Sequence, residues 1–191
     1  NCVPVKGSAE TQIRELLTFV RTRSIPLKIE ELIRELNVDG ESLHVDLAPF
    51  YRQLALDSKC ESELIPAGGV GHPMPVIQLN DGARIIWKLF AGGAYYGPGC
   101  RDCRGFPCDD ALMALRLTAD GRLETCLRRS EMHYDLGGTL RDHGKRDAMD
   151  LIDRALSQFK QARKYAAQEI AVLRRDQKKQ PGMDDAGYEE K

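Results

Sequence analysis

Two periodicities alternate along the first thirty residues. Residues 1–5 are apolar and β-branched enough to end a strand, and Lys6-Gly7-Ser8 then turns the chain, with Ser8 placed to cap a helix. Ile13, Leu16, Leu17 and Val20 recur at helical spacing, with Arg14, Glu15, Arg21 and Arg23 on the other side. Pro26 stops this helix, because a residue ahead of proline is pushed out of the helical region. Residues 25–29 alternate as the next strand. Strand, helix, strand predicts a βα unit followed by the next strand of a parallel sheet, hence an α/β fold.

The middle is less regular. Asp46 is placed to cap a short helix containing Leu47, Phe50, Tyr51, Leu54 and Leu56, and the proline and glycine of residues 66–75 predict a loop. Residues 76–79 and 83–90 read as a hairpin closed by Asn80-Asp81-Gly82. The glycine-rich residues 91–99 lack a following Gly-Lys-Ser/Thr, so they read as a bend leading to Cys100 and not as a phosphate cradle. A second hairpin is predicted from residues 114–118 and 122–127 around Ala119-Asp120-Gly121. Met149, Ile152, Leu156, Phe159, Ala162, Ala166, Ile170 and Leu173 approximate one stripe, predicting a single C-terminal helix over 147–175. Residues 176–191 read as a disordered tail.

Composition narrows the classes. Of 191 residues, 42% are hydrophobic and 30% charged, enough for a buried core. Lys plus Arg number 28 against 29 Asp plus Glu, and a net charge of −1 argues against a dedicated nucleic-acid binder. No apolar run approaches the roughly 18 residues that span a membrane, and no basic-then-apolar signal segment is present. A cytoplasmic protein with no membrane partner is expected. The first residue is Asn1 and not Met, which reads as a piece cut from a longer protein.

The cysteines carry the chemistry. Cys100, Cys103 and Cys108 crowd one loop, and Cys126 follows on a strand that the second hairpin folds back beside them. So tight a group is awkward for adjacent disulfides, and a chain of this length does not need such staples. Thiolates are soft ligands suited to zinc or an iron–sulfur cluster, and the Cys-x2-Cys spacing alone does not choose between them. Cys2 and Cys60 stand apart and read as buried thiols.

The stretch from Leu115 to Leu127, with its Arg-Leu-Thr-x-Asp-Gly turn and the Cys126-Leu127 ending, resembles the C-terminal cluster region of the GTP 3′,8-cyclases. These are the radical S-adenosylmethionine enzymes of molybdenum cofactor biosynthesis. Residues 1–7, the helix after them and residues 25–30 look like that family's fifth strand, helix and sixth strand. Tyr134 to Arg141 look like its segment after the third cysteine. The resemblance implies the end of an incomplete β/α barrel over residues 1–45. An auxiliary-cluster domain follows over 46–175, with an antiparallel hairpin layer and a C-terminal helix. It implies an auxiliary [4Fe–4S] cluster on Cys100, Cys103 and Cys126, with an open iron facing the substrate, and a phosphate contact from Arg116.

Several features depart from that pattern. Ala114 stands where the family has a further arginine, so the anionic, nucleotide-like substrate need not be GTP. Cys108 is additional and is a candidate fourth ligand; with all four ligating, the cluster would serve electron transfer or structure. The Cys-x3-Cys-x2-Cys loop that binds the S-adenosylmethionine-cleaving cluster does not occur in these residues, so that cosubstrate is implied only together with a missing N-terminal half. A stand-alone zinc or iron–sulfur module without catalysis is the alternative.

The remaining polar residues have plainer readings. His44, His72, His133 and His143 read as surface or hydrogen-bonded histidines, although any could complete a metal site. Asp109 and Asp110 read as solvated loop carboxylates and not as an acid–base pair. Trp87, Tyr95 and Tyr96 flank the cysteine loop in sequence and read as packing or shielding. Arg101, Arg104, Arg116, Arg122, Arg128 and Arg129 gather positive charge there, suited to a substrate anion or to offsetting a thiolate-ligated cluster.

Overall fold

The computed structural model describes residues 1–33, 43–64, 71–111 and 115–178. It is a mixed α/β protein with several small sheets and no closed barrel among the described residues. Helix α1 (Ala9–Arg23) leads to strand β1 (Leu27–Glu30), then α2 (Ala48–Ala55), β2 (Ser58–Leu64), β3 (Met74–Leu79) and β4 (Arg84–Lys88). The main sheet has the order β1-β4-β3-β2. β1 is parallel to β4, and the other two pairings are antiparallel. Cys2 adds a parallel bridge to Ile29 through backbone hydrogen bonds with Lys28 and Glu30. Strand, α1 and β1 therefore form the expected parallel unit, although its first strand is reduced to that bridge.

Register explains the core. Leu27 stands opposite Ile85, Ile29 opposite Trp87, and Ile77 opposite Ile85, so these buried side chains share one face of the sheet. Ile13 and Val20 of α1 close over them, with Phe50, Tyr51 and Leu54 of α2 packed alongside. The stops of α1 follow sequence rules: Ser24 takes a left-handed conformation before Pro26. Ser8 sits at the N-cap, but its hydroxyl donates to the Val5 carbonyl and caps nothing. The Asp46 carboxylate does accept the Ala48 N–H at 2.9 Å, at the start of α2.

Three expectations are corrected. β2 was absent from the hydrophobic pattern because it is an exposed edge strand, and Lys59, Glu61 and Glu63 give it no apolar alternation. Cys60 lies on it and is exposed, not buried. The single helix over 147–175 is three separate elements: α4 (Gly144–Ser157), strand β9 (Arg163–Tyr165) and α5 (Ala167–Lys178). The break comes from pairing, since residues 163–165 form an antiparallel ladder with β5 (Ala94–Tyr96) that a helix cannot supply. α5 also takes in residues 176–178, the start of the expected tail; residues 179–191 lie outside the described residues, as do residues 66–70 of the expected loop and Ala114.

Both hairpins form. β3 and β4 pair across Asn80-Asp81-Gly82, and β6 (Arg116–Leu117) pairs with β7 (Arg122–Glu124). β8 (His133–Asp135) joins β7, and α3 (Leu136–Asp142) follows, started by Asp135 accepting the Gly138 N–H. Ile85→Ala opens a hole in the fully buried face and is expected to lower unfolding free energy by about 2–5 kcal/mol. Leu140→Ala, at an exposed position, is expected to change it by less than about 0.5 kcal/mol. Urea denaturation of both variants checks this.

Candidate metal centre

The cysteine loop is a chain of tight turns. Backbone N–H groups of Cys100, Cys103 and Phe106 donate in succession to the carbonyls of Gly97, Cys100 and Cys103. Cys103 and Cys126 both lie near enough to Cys100 for their charges to act on it. Cys126 follows β7, and β6 and β7 turn it back toward the same place. All six cysteines are free thiols.

The four candidate ligands form one electrostatic group. Burial pushes the Cys100 thiol up to about 11, and the neighbouring Cys126 and Cys103 sulfurs push in the same direction. Burial also pushes Cys108 up to about 12, with Asp110 and Cys100 adding to it and the Ala111 N–H opposing. Two sulfurs receive backbone donors: Ala111 N–H to Cys108 Sγ at 3.1 Å, and Arg128 N–H to Cys126 Sγ at 3.4 Å. Raised pKa values leave Cys100 and Cys108 as neutral thiols on their own, so a soft cation would have to displace their protons to bind there. By donor type alone, the four sulfurs suit a soft metal or an iron–sulfur cluster. Among the described residues, however, no three His, Cys, Asp or Glu side chains are gathered tightly enough to hold a single metal ion.

Arginine and aromatic side chains frame the sulfurs. Arg129 feels the charges of Cys103 and Cys126, donates to the Gly99 carbonyl and is held by Glu131 at 2.7 Å. Arg116 Nη2 lies 3.3 Å from Asp110, while its Nη1 is buried without an acceptor. On the inner side, Tyr96, Phe106 and Tyr165 meet edge to face at centroid distances of 4.8–5.6 Å. The Tyr96 hydroxyl donates to the Cys108 carbonyl at 2.6 Å. Gly93, at φ +82°, lets β5 approach β9 here, because a Cβ would strike the Tyr165 carbonyl.

Several sequence readings change. Asp109 and Asp110 are buried, not solvated: Arg174 bonds Asp109, and Arg116 and the charge of Lys88 face Asp110. Trp87 keeps its packing reading, in the sheet core on the face opposite Lys88, and takes no shielding role at the sulfurs. His133 points Nε2 at the Cys126 carbonyl at 2.7 Å. Lys88, Phe106, Tyr165 and Arg174 were missed; nothing in their spacing signals a site, because they arrive from four separate segments. No protein-family model, curated protein or solved structure matches this chain.

His72 ties the loop to the rest of the fold. It is buried, with Nδ1 3.1 Å from the Gly93 carbonyl and Nε2 2.7 Å from the Asp109 carbonyl. Burial first, and the Lys88 charge second, lower it from 6.5 to about 4. The unfolded imidazole therefore takes a proton between about 6.5 and 4 that the folded one refuses, so stability is expected to fall as pH drops through that window. The whole effect is of order 3 kcal/mol. Urea midpoints across this range check the slope, which His72→Gln is expected to flatten.

Proposed function

We propose that this chain is the auxiliary-cluster and substrate-binding half of a radical S-adenosylmethionine enzyme of the GTP 3′,8-cyclase type, a lyase class. The observation that carries the reading is the charge-coupled, part-buried set of Cys100, Cys103, Cys108 and Cys126 with arginines at its rim. Cys100, Cys103 and Cys126 are the residues that would hold a [4Fe–4S] cluster, with Cys108 as candidate fourth ligand. Such a cluster, when bound, supplies either an open iron for a substrate atom or, fully ligated, a site for single electrons.

The chain's own residues do the binding and orienting. Arg116 directs a buried Nη1 with no acceptor and is the group that would take an anionic oxygen of a nucleotide-like substrate. Arg129, fixed at Gly99 and Glu131, offsets negative charge beside Cys103 and Cys126. The aromatic trio keeps water from the inner side of Cys108. The parallel unit of residue 2, α1 and β1 supports the reading of residues 1–45 as the last part of an incomplete β/α barrel. S-adenosylmethionine belongs to this activity only with an N-terminal half carrying its own cysteine triplet. The oxygen-sensitive cluster suits the cytoplasm.

Cys108 favours one further reading. Its coupling to Cys100 suits a fully ligated electron-transfer cluster. Anaerobic reconstitution followed by iron and sulfide analysis tests both. About four irons and four sulfides per chain are expected, with near-complete loss in Cys126→Ala. Cys108→Ser is expected to keep the cluster if three cysteines hold it, and to lose it in the electron-transfer case. A colourless, zinc-loaded protein without sulfide, or a wild-type iron content in Cys126→Ala, would overturn the assignment.

A further inference from the structure

A groove lies on the other face of the main sheet. Side chains alternate along β4, so Lys88 turns toward Asp110 and Arg116 while Trp87 turns toward the helices. Between α1 and α2 runs a groove of 480 Å³, walled by Ile13, Leu17, Phe50 and Leu54, with Trp87 at its base. Its volume falls within the range of small-molecule sites, and its walls are apolar as such sites usually are.

Trp87 supplies the second observation. Its side chain is fully buried, and its Nε1 has no hydrogen-bond partner. Tyr51 meets the indole edge on, at 6.0 Å between centroids, and fills one side without accepting from it. A buried indole N–H left unpaired costs about 1–3 kcal/mol, and an indole can only donate. The fold leaves that donor unsatisfied at the one tryptophan of the chain, on the wall of a groove. The rim is polar and carries carboxylates, Glu10 and Asp57, with Arg14 already committed to Glu10 at 2.9 Å. Net negative charge at the mouth disfavours an anionic ligand.

We infer that this groove binds an uncharged aromatic compound bearing a carbonyl or ring-nitrogen acceptor, which the Trp87 N–H receives. The occupant is distinct in chemistry from the anion suited to the arginine rim, and the inference does not depend on the cluster assignment. Entry opens the indole edge by a rotamer change in a half-buried lining side chain such as Leu17 or Leu54.

The sole tryptophan makes occupancy directly readable. Coumarin, an aromatic lactone, and naphthalene, its acceptor-free counterpart of similar shape, are titrated into the full chain with tryptophan emission followed and binding checked by ligand-observed NMR. Coumarin is expected to change Trp87 emission saturably and to bind at least about tenfold tighter than naphthalene, the scale of one neutral hydrogen bond. Leu17→Phe fills the groove and is expected to abolish binding; Leu54→Phe on the other wall serves if that variant does not fold. Trp87→Phe is expected to bring coumarin down to the naphthalene level by NMR. Absence of saturable coumarin binding, equal affinity for the two probes, or binding unchanged in a folded groove-filling variant would overturn the proposal.

Discussion

Strand β4 is the constraint on which the rest of the structure depends. It is central in the sheet, parallel to β1 and antiparallel to β3. Its alternation commits Ile85 and Trp87 to the helix-covered face and sends Lys88 the other way. A shift of one residue would put indole against the buried carboxylates of the loop and an ammonium into the hydrocarbon core. Lys88 is held below its ordinary pKa by burial, and the charges of Asp110 and Glu30 oppose that loss. The same strand thus fixes a dry face and a charged one.

The charged face is stitched to the sheet by side chains that satisfy backbone groups over long distances. The Glu31 carboxylate accepts N–H groups from Leu47 at 3.0 Å and Phe90 at 2.8 Å, so one buried acid starts α2 and fixes the entry to the glycine-rich segment. Burial raises its pKa, and those two donors oppose the rise. His72 sits at the far end of that segment between the Gly93 and Asp109 carbonyls, and as a neutral imidazole it donates to one of them. Unpaired polar groups are expensive in such places, so the cysteine loop inherits its position from buried contacts well away from the sulfurs.

Around the sulfurs, attraction and repulsion are arranged in layers. Cys100 and Cys108 resist ionisation because they are buried and near other negative groups, while Arg129 supplies positive charge beside Cys100, Cys103 and Cys126. Asp109 and Asp110 add negative charge just behind, and Arg174 and Arg116 neutralise it. The aromatic trio limits how far the loop can spread.

Local physics alone determined much of this protein. The 3.6-residue spacing of Ile13, Leu16, Leu17 and Val20 dictated α1, proline dictated its end, and Asp-Gly turns dictated both hairpins. The tight turns through Cys100 and Cys103 and the hairpin ahead of Cys126 were legible too, because turn chemistry acts between near neighbours, although β7 ends at Glu124 and leaves Cys126 beyond the strand that its spacing suggested. Tertiary structure decided the rest. Apolar residues spaced as one helix over 147–175 were divided because residues 163–165 found a strand partner seventy residues earlier, and pairing outweighed propensity. Asp109 and Asp110 became buried ion pairs because Arg174 and Arg116 reached them from elsewhere, and Trp87 left the cysteine loop for the opposite face because strand alternation, not closeness in sequence, chooses neighbours.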